Sequence, residues 1–271
     1  MPNHITNQIE FFGKREDIDK VFELIKGEVE YIDFNNIIHM PASLNLPSGS
    51  DTDGSMQYAL SLMEVTEATR IKNILRGKVV KFYGNYLNKV FMYPWDSNML
   101  QEAANRFETR EPNPFDETDY EKFGIKTYED LGNTYIKNII AYNHDTWHEW
   151  CCANWGTKWN AYDTELDDDI LTFDTAWSCP IPVLDALAKI CYNHNVSFSG
   201  KWADEDTGHN VGVFESNCNG DEYSFNYREV EDESNEAYEI YIEVKGHSGC
   251  FGKDEDGNWR CYDCENCPNP C

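Results

Sequence analysis

No cysteine occurs in the first 150 residues of this 271-residue chain. No apolar run approaches the roughly 20 residues needed to cross a bilayer, so no helical membrane span is expected. The opening Met1-Pro2-Asn3-His4 has no basic segment leading into an apolar one. No secretory signal is read there, and a soluble, cytoplasmic protein is expected. Phosphate loops, nucleophile elbows and zinc-protease helices are also missing, which sets aside the commonest motif-borne chemistries. Basic residues are scarce, 22 against 49 acidic, for a net charge of −27. The scarcity is uneven. Residues 1–90 hold 10 basic and 12 acidic residues, while residues 91–271 hold 12 and 37. Such a surface repels nucleic acid and anionic membranes and attracts basic protein surfaces. Solubility alone is the plainer reading of the same charge.

Hydrophobic residues make up 41% of the chain and aromatics 14%. That is enough for a sizeable core and argues against general disorder. Residues 5–13 alternate as a strand should, and residues 15–27 carry Ile18, Val21, Phe22 and Ile25 on one helical face. Residues 31–38 read as a second extended segment ahead of Pro41. Residues 43–53 read as a loop. Residues 56–93 read as helical and hold the one basic stretch, Arg70, Lys72, Arg76, Lys78, Lys81 and Lys89. A solvated helix face or contact with an anionic partner would explain it, the acidic half of this chain included. A helix is expected over residues 100–107, a surface loop over 108–118 and a long helix from 129 to about 153. Beyond it a strand over 169–177 precedes a helix capped by Ser178, with Pro180 or Pro182 in its first turn. Strands follow at 196–202, 210–215 and 223–228, with Asn219-Gly220 turning between the last two. Residues 237–245 fit a helix or a strand. The order predicts an α+β, ferredoxin-like β/α sandwich with a mostly helical insertion and a Cys-rich C-terminal tail. The body spans residues 1–42 and 154–246, the insertion 43–153 and the tail 247–271.

The densest signal is Asn154-Trp155-Gly156-Thr157-Lys158-Trp159-Asn160-Ala161-Tyr162-Asp163. Tryptophan is costly to leave in water, and a buried indole N–H needs a partner, so this is a structured junction. With the opening residues 1–7, Ile32-Asp33-Phe34-Asn35, Met40-Pro41, Phe173-Asp174-Thr175-Ala176-Trp177-Ser178 and Ala203-Asp204-Glu205-Asp206-Thr207-Gly208, it resembles the YubB ferredoxin-like family. Those are proteins of phages and conjugative plasmids without an assigned function. The resemblance implies the fold and a mobile-element origin; it carries over no catalytic residue.

Asn154, Trp155, Lys158, Trp159, Asn160, Asp163, Trp177, Asp204 and Asp206 are the candidate ligand- or partner-binding residues. Asp204 and Asp206, two apart on a strand, share a face and suit Mg²⁺ or acid–base work. A buried hydrogen-bond network is the alternative. Trp155, Trp159, Trp177 and Trp202 would offer a stacking surface, with Lys158 for a phosphate. His144, His148 and Cys152 fall at i, i+4, i+8 on the long helix, as metal ligands or as a packed stripe. In the tail, Cys250, Cys261, Cys264 and Cys267 are the expected ligands of a structural zinc ion, with Cys271 or His247 as substitutes. Disulfides or an unstructured thiol-rich end are the other readings. Three functions follow. The first is an acidic accessory protein that inhibits a host factor, such as a defence nuclease or CRISPR-type effector, by occupying its cationic nucleic-acid site. Its partner would be a host protein with a basic surface, and neither direct nucleic-acid binding nor membrane contact is expected. The others are a nucleotide-type small-ligand binder and a metal-dependent phosphoester hydrolase using Asp204 and Asp206.

Overall fold

The structure is a computed structural model that describes residues 3–110, 118, 120–218, 222–246 and 251–261. The chain forms two compact units, Met1–His39 with Cys151–Cys271, and Met40–Trp150. The first unit starts with β1 (His4–Phe12) and α1 (Arg15–Ile25). Alternation along β1 buries Ile5, Asn7, Ile9 and Phe11, and α1 buries Ile18, Val21, Phe22 and Ile25. The expected strand over residues 31–38 does not form. Asp33 caps a 3-10 turn, Phe34–Asn36, by accepting from the Asn35 amide. The Phe34 amide is taken by Asn160 Oδ1 rather than by a ladder.

The second unit is helical. After a 3-10 turn at Ala42–Leu44 come α2 (Ser50–Leu62), α3 (Val65–Gly77), α4 (Tyr86–Val90), α5 (Ser97–Glu108) and α6 (Tyr128–Tyr142). Helix α2 starts inside the stretch read as a loop. Its packing explains why: Met56, Ala59 and Leu60 join Tyr128, Leu131, Tyr135 and Ile139 of α6 in one core. A β-carbon at Gly132 would lie 2.0 Å from the Ser55 carbonyl oxygen, so glycine lets the two helices approach. The single helix expected from 129 to 153 is two helices. Asn143, at φ 61°, ends α6, with Lys78 Nζ 2.6 Å from its Oδ1 and 3.1 Å from the Ile140 carbonyl. Helix α7 (Trp147–Asn154) follows. His144 therefore lies off the helix, and the proposed His144–His148–Cys152 face does not exist.

The first unit resumes with β2 (Tyr162–Asp167), β3 (Ile170–Ala176), α8 (Ile181–Asn193), β4 (Ser197–Asp204), β5 (Gly212–Asn217), β6 (Ser224–Glu229), α9 (Asn235–Lys245) and the hairpin β7 (Phe251–Lys253), β8 (Trp259–Cys261). Six strands form one antiparallel sheet, β2-β3-β1-β4-β5-β6. The order β2-β3-β1-β4, with α1 and α8 as crossovers, is the split β-α-β arrangement of ferredoxin-like folds. Its second strand is thus β2, which the sequence reading missed, and not residues 31–38. One sheet face carries Ile5, Ile9, Phe11, Leu171, Phe173, Phe198 and Trp202, all buried; Phe11 meets Phe22 of α1 edge-on at 5.1 Å. On the other face α9 packs Ala237, Tyr238, Ile240 and Tyr241 against Ala203 and Val211. Residues 235–245 are thus a helix, and Lys201–Glu243 and Arg228–Glu236 ion pairs tie it to the sheet. Ser178 does not cap α8. Its hydroxyl donates to the Gly156 carbonyl, and Pro180 holds the N-cap position. The Asn219-Gly220 turn and most of the 108–118 loop lie outside the described residues.

Candidate functional site

The Trp-rich junction separates into inward and outward residues. Trp155 is 3% exposed, with its indole N–H donating to the Ile38 carbonyl at 2.8 Å and its ring edge-on to Phe34. Thr157 is buried and donates to the Ala176 carbonyl. Gly156, at φ 79°, fits against Pro182, where a β-carbon would lie 2.6 Å from Cδ. Asn160 accepts from the Phe34 and Ala161 amides and donates to Asp33 at 2.7 Å. Trp155 and Asn160, both read as binding candidates, therefore hold the chain to residues 33–38. Asn154 ends α7, and Asp163, at φ 49°, lies where the β2–β3 register shifts. Trp202 lies buried on the sheet, stacked on Phe214.

Lys158, Trp159 and Trp177 do come together. Lys158 Nζ sits 4.9 Å from the Trp159 ring centroid and 4.7 Å from that of Trp177, within cation–π range of both. The indoles are 38% and 44% exposed. Trp177 follows β3 at φ 74°, a left-handed conformation that costs a bulky side chain roughly 1–2 kcal/mol. Its amide donates to the Asn3 carbonyl at 2.9 Å. Strained backbone that surrounding structure holds in place points towards function.

The register brings carboxylates to this same end of the sheet, where His4 faces Ala176 and Ile5 faces Asp204. Asn3 Nδ2 donates to Asp204 and Asp206 at 3.1 Å each, and Asn210 Nδ2 donates to the other Asp204 oxygen at 2.8 Å. The Asp206 amide also reaches Asp204. Asp204 is only 4% exposed, and both of its oxygens already accept hydrogen bonds. Glu205 and Asp206 are exposed. Glu205 accepts from the His4 amide, and His4 Nδ1 lies 2.7 Å from the Tyr162 hydroxyl. Tyr162 packs edge-on to Trp159, and burial, with Asp174, Asp163 and Glu205 nearby, pushes its phenol up to about 12. The result is a half-exposed platform of two indoles and a phenol, one lysine ammonium between the indoles, and exposed acids at the rim.

A second polar cluster, absent from the sequence reading, is buried in the helical unit. Lys89 Nζ pairs with Asp145 at 2.6 Å and Glu149 at 3.3 Å, and the Tyr86 hydroxyl donates to Glu149. Burial pushes the Asp53 carboxyl up to about 6, with Lys89 opposing and Asp145 and Glu149 adding to the rise. Burial also lowers His144. Asp53 Oδ1, Asp145 Oδ1, Thr146 Oγ1 and His144 Nδ1 are buried without a hydrogen-bond partner among the described residues. The i, i+4 spacing of Asp145 and Glu149 and the i, i+3 spacing of Tyr86 and Lys89 were the available signals.

The expected zinc ligands Cys250, Cys264 and Cys267, with the substitutes Cys271 and His247, lie outside the described residues. Cys261 ends β8, and only its backbone is described. Among the described residues no group of three or more His, Cys, Asp or Glu is arranged to hold a metal ion.

The sheet order and the exposed aromatic–acidic end define an α+β protein of ferredoxin-like class. Residues 154–244 match the family described as the ferredoxin-like domain in Api92-like protein. The ferredoxin-like part of the resemblance read from the sequence stands under that description. The crystal structure of protein api92 from Yersinia pseudotuberculosis aligns with 83% of this chain and 98% of its own, at 11% identity and a TM-score of 0.35. No curated protein matches the chain. Among the described residues no helix is long and apolar enough to cross a membrane.

Proposed function

We propose that this chain is a binding protein whose acidic ferredoxin-like unit occupies the cationic nucleic-acid site of a host protein. The unit holds 33 acidic and 11 basic residues, a net −22 of the chain's −27. The observation that carries the reading is the sheet end, where exposed Glu205 and Asp206 flank the half-exposed Trp159 and Trp177. Indoles beside carboxylates suit arginine- and lysine-rich surfaces, because the ring face and the carboxylate both attract a cation. The YubB resemblance adds a mobile-element setting, in which a defence nuclease or CRISPR-type effector is a fitting target class. The test is capture of host proteins by the intact chain and by Glu205→Lys with Asp206→Lys, beside an unrelated protein of equal charge. The reading expects a nucleic-acid-binding protein held by the intact chain alone. Equal capture by the charge-matched control ends it.

Lys158 between two indoles also favours a nucleotide-type small ligand, stacked on Trp159 or Trp177 with its phosphate on the ammonium. Native mass spectrometry of the purified chain checks this. The hydrolase reading has least support, because Asn3 and Asn210 already engage both oxygens of Asp204.

A further inference from the structure

Residues 68–95 carry six cations and not one Asp or Glu, in a chain of net −27. Three of the six have evident structural tasks. Arg70 pairs with Glu67, Lys78 holds the end of α6, and Lys89 pairs with Asp145. Lys72, Arg76 and Lys81 form no ion pair among the described residues. The same stretch leaves large apolar side chains in water: Phe82 at 82% exposure, Val79 at 78% and Tyr93 at 70%. Scattered exposed hydrophobes need no account, but several within fifteen residues beside unpaired cations do.

The local geometry joins Lys72, Lys81 and Phe82. Between α3 and α4 lies a recess of about 400 Å³ lined by Lys72, Leu87, Asn88 and Phe91. Lys72 Nζ stands 5.3 Å from the Phe91 ring centroid. Asn88 Nδ2 donates to the Tyr83 carbonyl, which ties the Phe82–Tyr83 turn to the wall of the recess. Lys81 Nζ is 5.5 Å from the Phe82 ring.

We propose that this face of the helical unit binds a short single-stranded nucleic acid, with phosphates on Lys72, Arg76 and Lys81 and bases stacked on Phe82 and Tyr93. Cations that track a backbone, interleaved with exposed aromatic rings, are what an unpaired strand requires. A membrane surface shares the charge preference, but a recess that sets the Asn88 amide beside Leu87 and Phe91 suits a ligand with flat rings and hydrogen-bonding groups of its own. The expectation that the chain avoids nucleic acid rests on whole-chain charge. The local sign of this patch is positive, because residues 68–95 carry six cations and no acid. The proposal is independent of the acidic unit's reading.

The test is fluorescence anisotropy of a labelled oligothymidylate of about 15 nucleotides, titrated with the intact chain at low salt. Micromolar binding is expected. Three phosphate contacts give a salt slope of about −2, so affinity should fall roughly 20-fold between about 50 and 200 mM salt. Phe82→Ala and Tyr93→Ala should each weaken binding roughly 5- to 100-fold. Lys72→Glu with Lys81→Glu should abolish it. Lys189→Glu with Lys14→Glu, the same charge change at exposed positions of the ferredoxin-like unit, should shift it less than about twofold, since a lysine that touches no phosphate releases no counterion. These side chains are exposed apart from the half-buried Lys72, so the variants should fold, which circular dichroism checks. Absence of binding by the folded chain, or unaltered binding by both aromatic variants, overturns the proposal. So does association with phosphatidylglycerol vesicles but not with the oligonucleotide.

Discussion

Replacing Lys89 by Met tests the buried cluster of the helical unit. The Lys89 side chain is 14% exposed and that of Asp145 1%, at a separation of 2.6 Å. Methionine keeps most of the stem and removes the charge. Asp145 is then buried with no cation, beside Glu149 and Asp53, and its Oδ1 already lacks a donor among the described residues. Removing one partner of a buried pair costs about 3–5 kcal/mol. For a unit of this size that lowers the melting temperature by roughly 10–20 °C. The deficit must also depend on pH. Asp53 already has its carboxyl raised to about 6 from an ordinary 3.8, chiefly by burial, with Lys89 opposing. A folded-state value above the unfolded one means the native state binds more protons in that window, so stability rises as pH falls through it. Without Lys89 the carboxyl rises further, and the deficit at pH 7.5 should shrink towards pH 5. Adding Asp145→Asn should recover part of the loss, because the stranded charge goes with it. The assay is scanning calorimetry of the intact chain at both pH values. A loss under about 1 kcal/mol at pH 7.5, or one indifferent to pH, would refute the account of this cluster.

Asp53→Asn should act in the opposite sense. The two-unit rise corresponds to at most about 3 kcal/mol, and partial exposure reduces this to roughly 1–2 kcal/mol. The variant should gain that in urea unfolding at pH 7.5 and only a small part of it at pH 4, close to the unfolded value of 3.8; a gain equal at both pH values would sink it. Asn160→Ala strands the Phe34 amide and the Asp33 carboxylate, so it should cost about 1–3 kcal/mol by urea unfolding while partner capture persists. Trp177→Gly frees roughly 1–2 kcal/mol of left-handed strain and forfeits contacts of a half-exposed ring. Stability should move by about 1 kcal/mol or less, while capture of a basic partner is lost. A large stability loss with capture intact would make Trp177 a structural residue.

Where apolar periodicity was present, the fold was legible. Ile5, Ile9 and Phe11 announce β1, Leu171, Phe173 and Thr175 announce β3, and the α8 stripe around Leu184 and Leu187 is equally plain. Strand β2 was missed because Tyr-Asp-Thr-Glu-Leu-Asp on a sheet edge offers no buried face; none of its residues is fully buried. Residues 31–38 looked extended from Tyr, Ile and Phe content, but the Asp33 carboxylate and Asn160 amide claim the backbone groups a ladder would need. The break at Asn143 had no proline or glycine to mark it. Of the site, residue types were legible and direction was not. Nothing in the sequence says that Trp155 turns inward while Trp159 turns outward. The approach of Trp177 to Lys158 depends on where β3 ends relative to the junction. The Lys89 cluster draws on α2, α4 and the turn before α7, segments whose proximity only the helix packing creates.

Among the described residues of the ferredoxin-like unit, Asp204 is the one charged side chain that is fully buried. It is also the acid most engaged by hydrogen bonds. Most of the other described acids are exposed, where they repel one another and lower the stability of a compact fold. Core packing asks for none of them, since the sheet closes on Ile, Phe, Leu and Val. Salt therefore acts on this unit in two directions: it screens the self-repulsion and favours the fold, and it screens attraction to a basic partner and weakens capture. A surface shaped only for solubility would show the first effect alone. Glu205 and Asp206, held at the rim of the indole pair by His4 and Asn3, are where the second effect should concentrate.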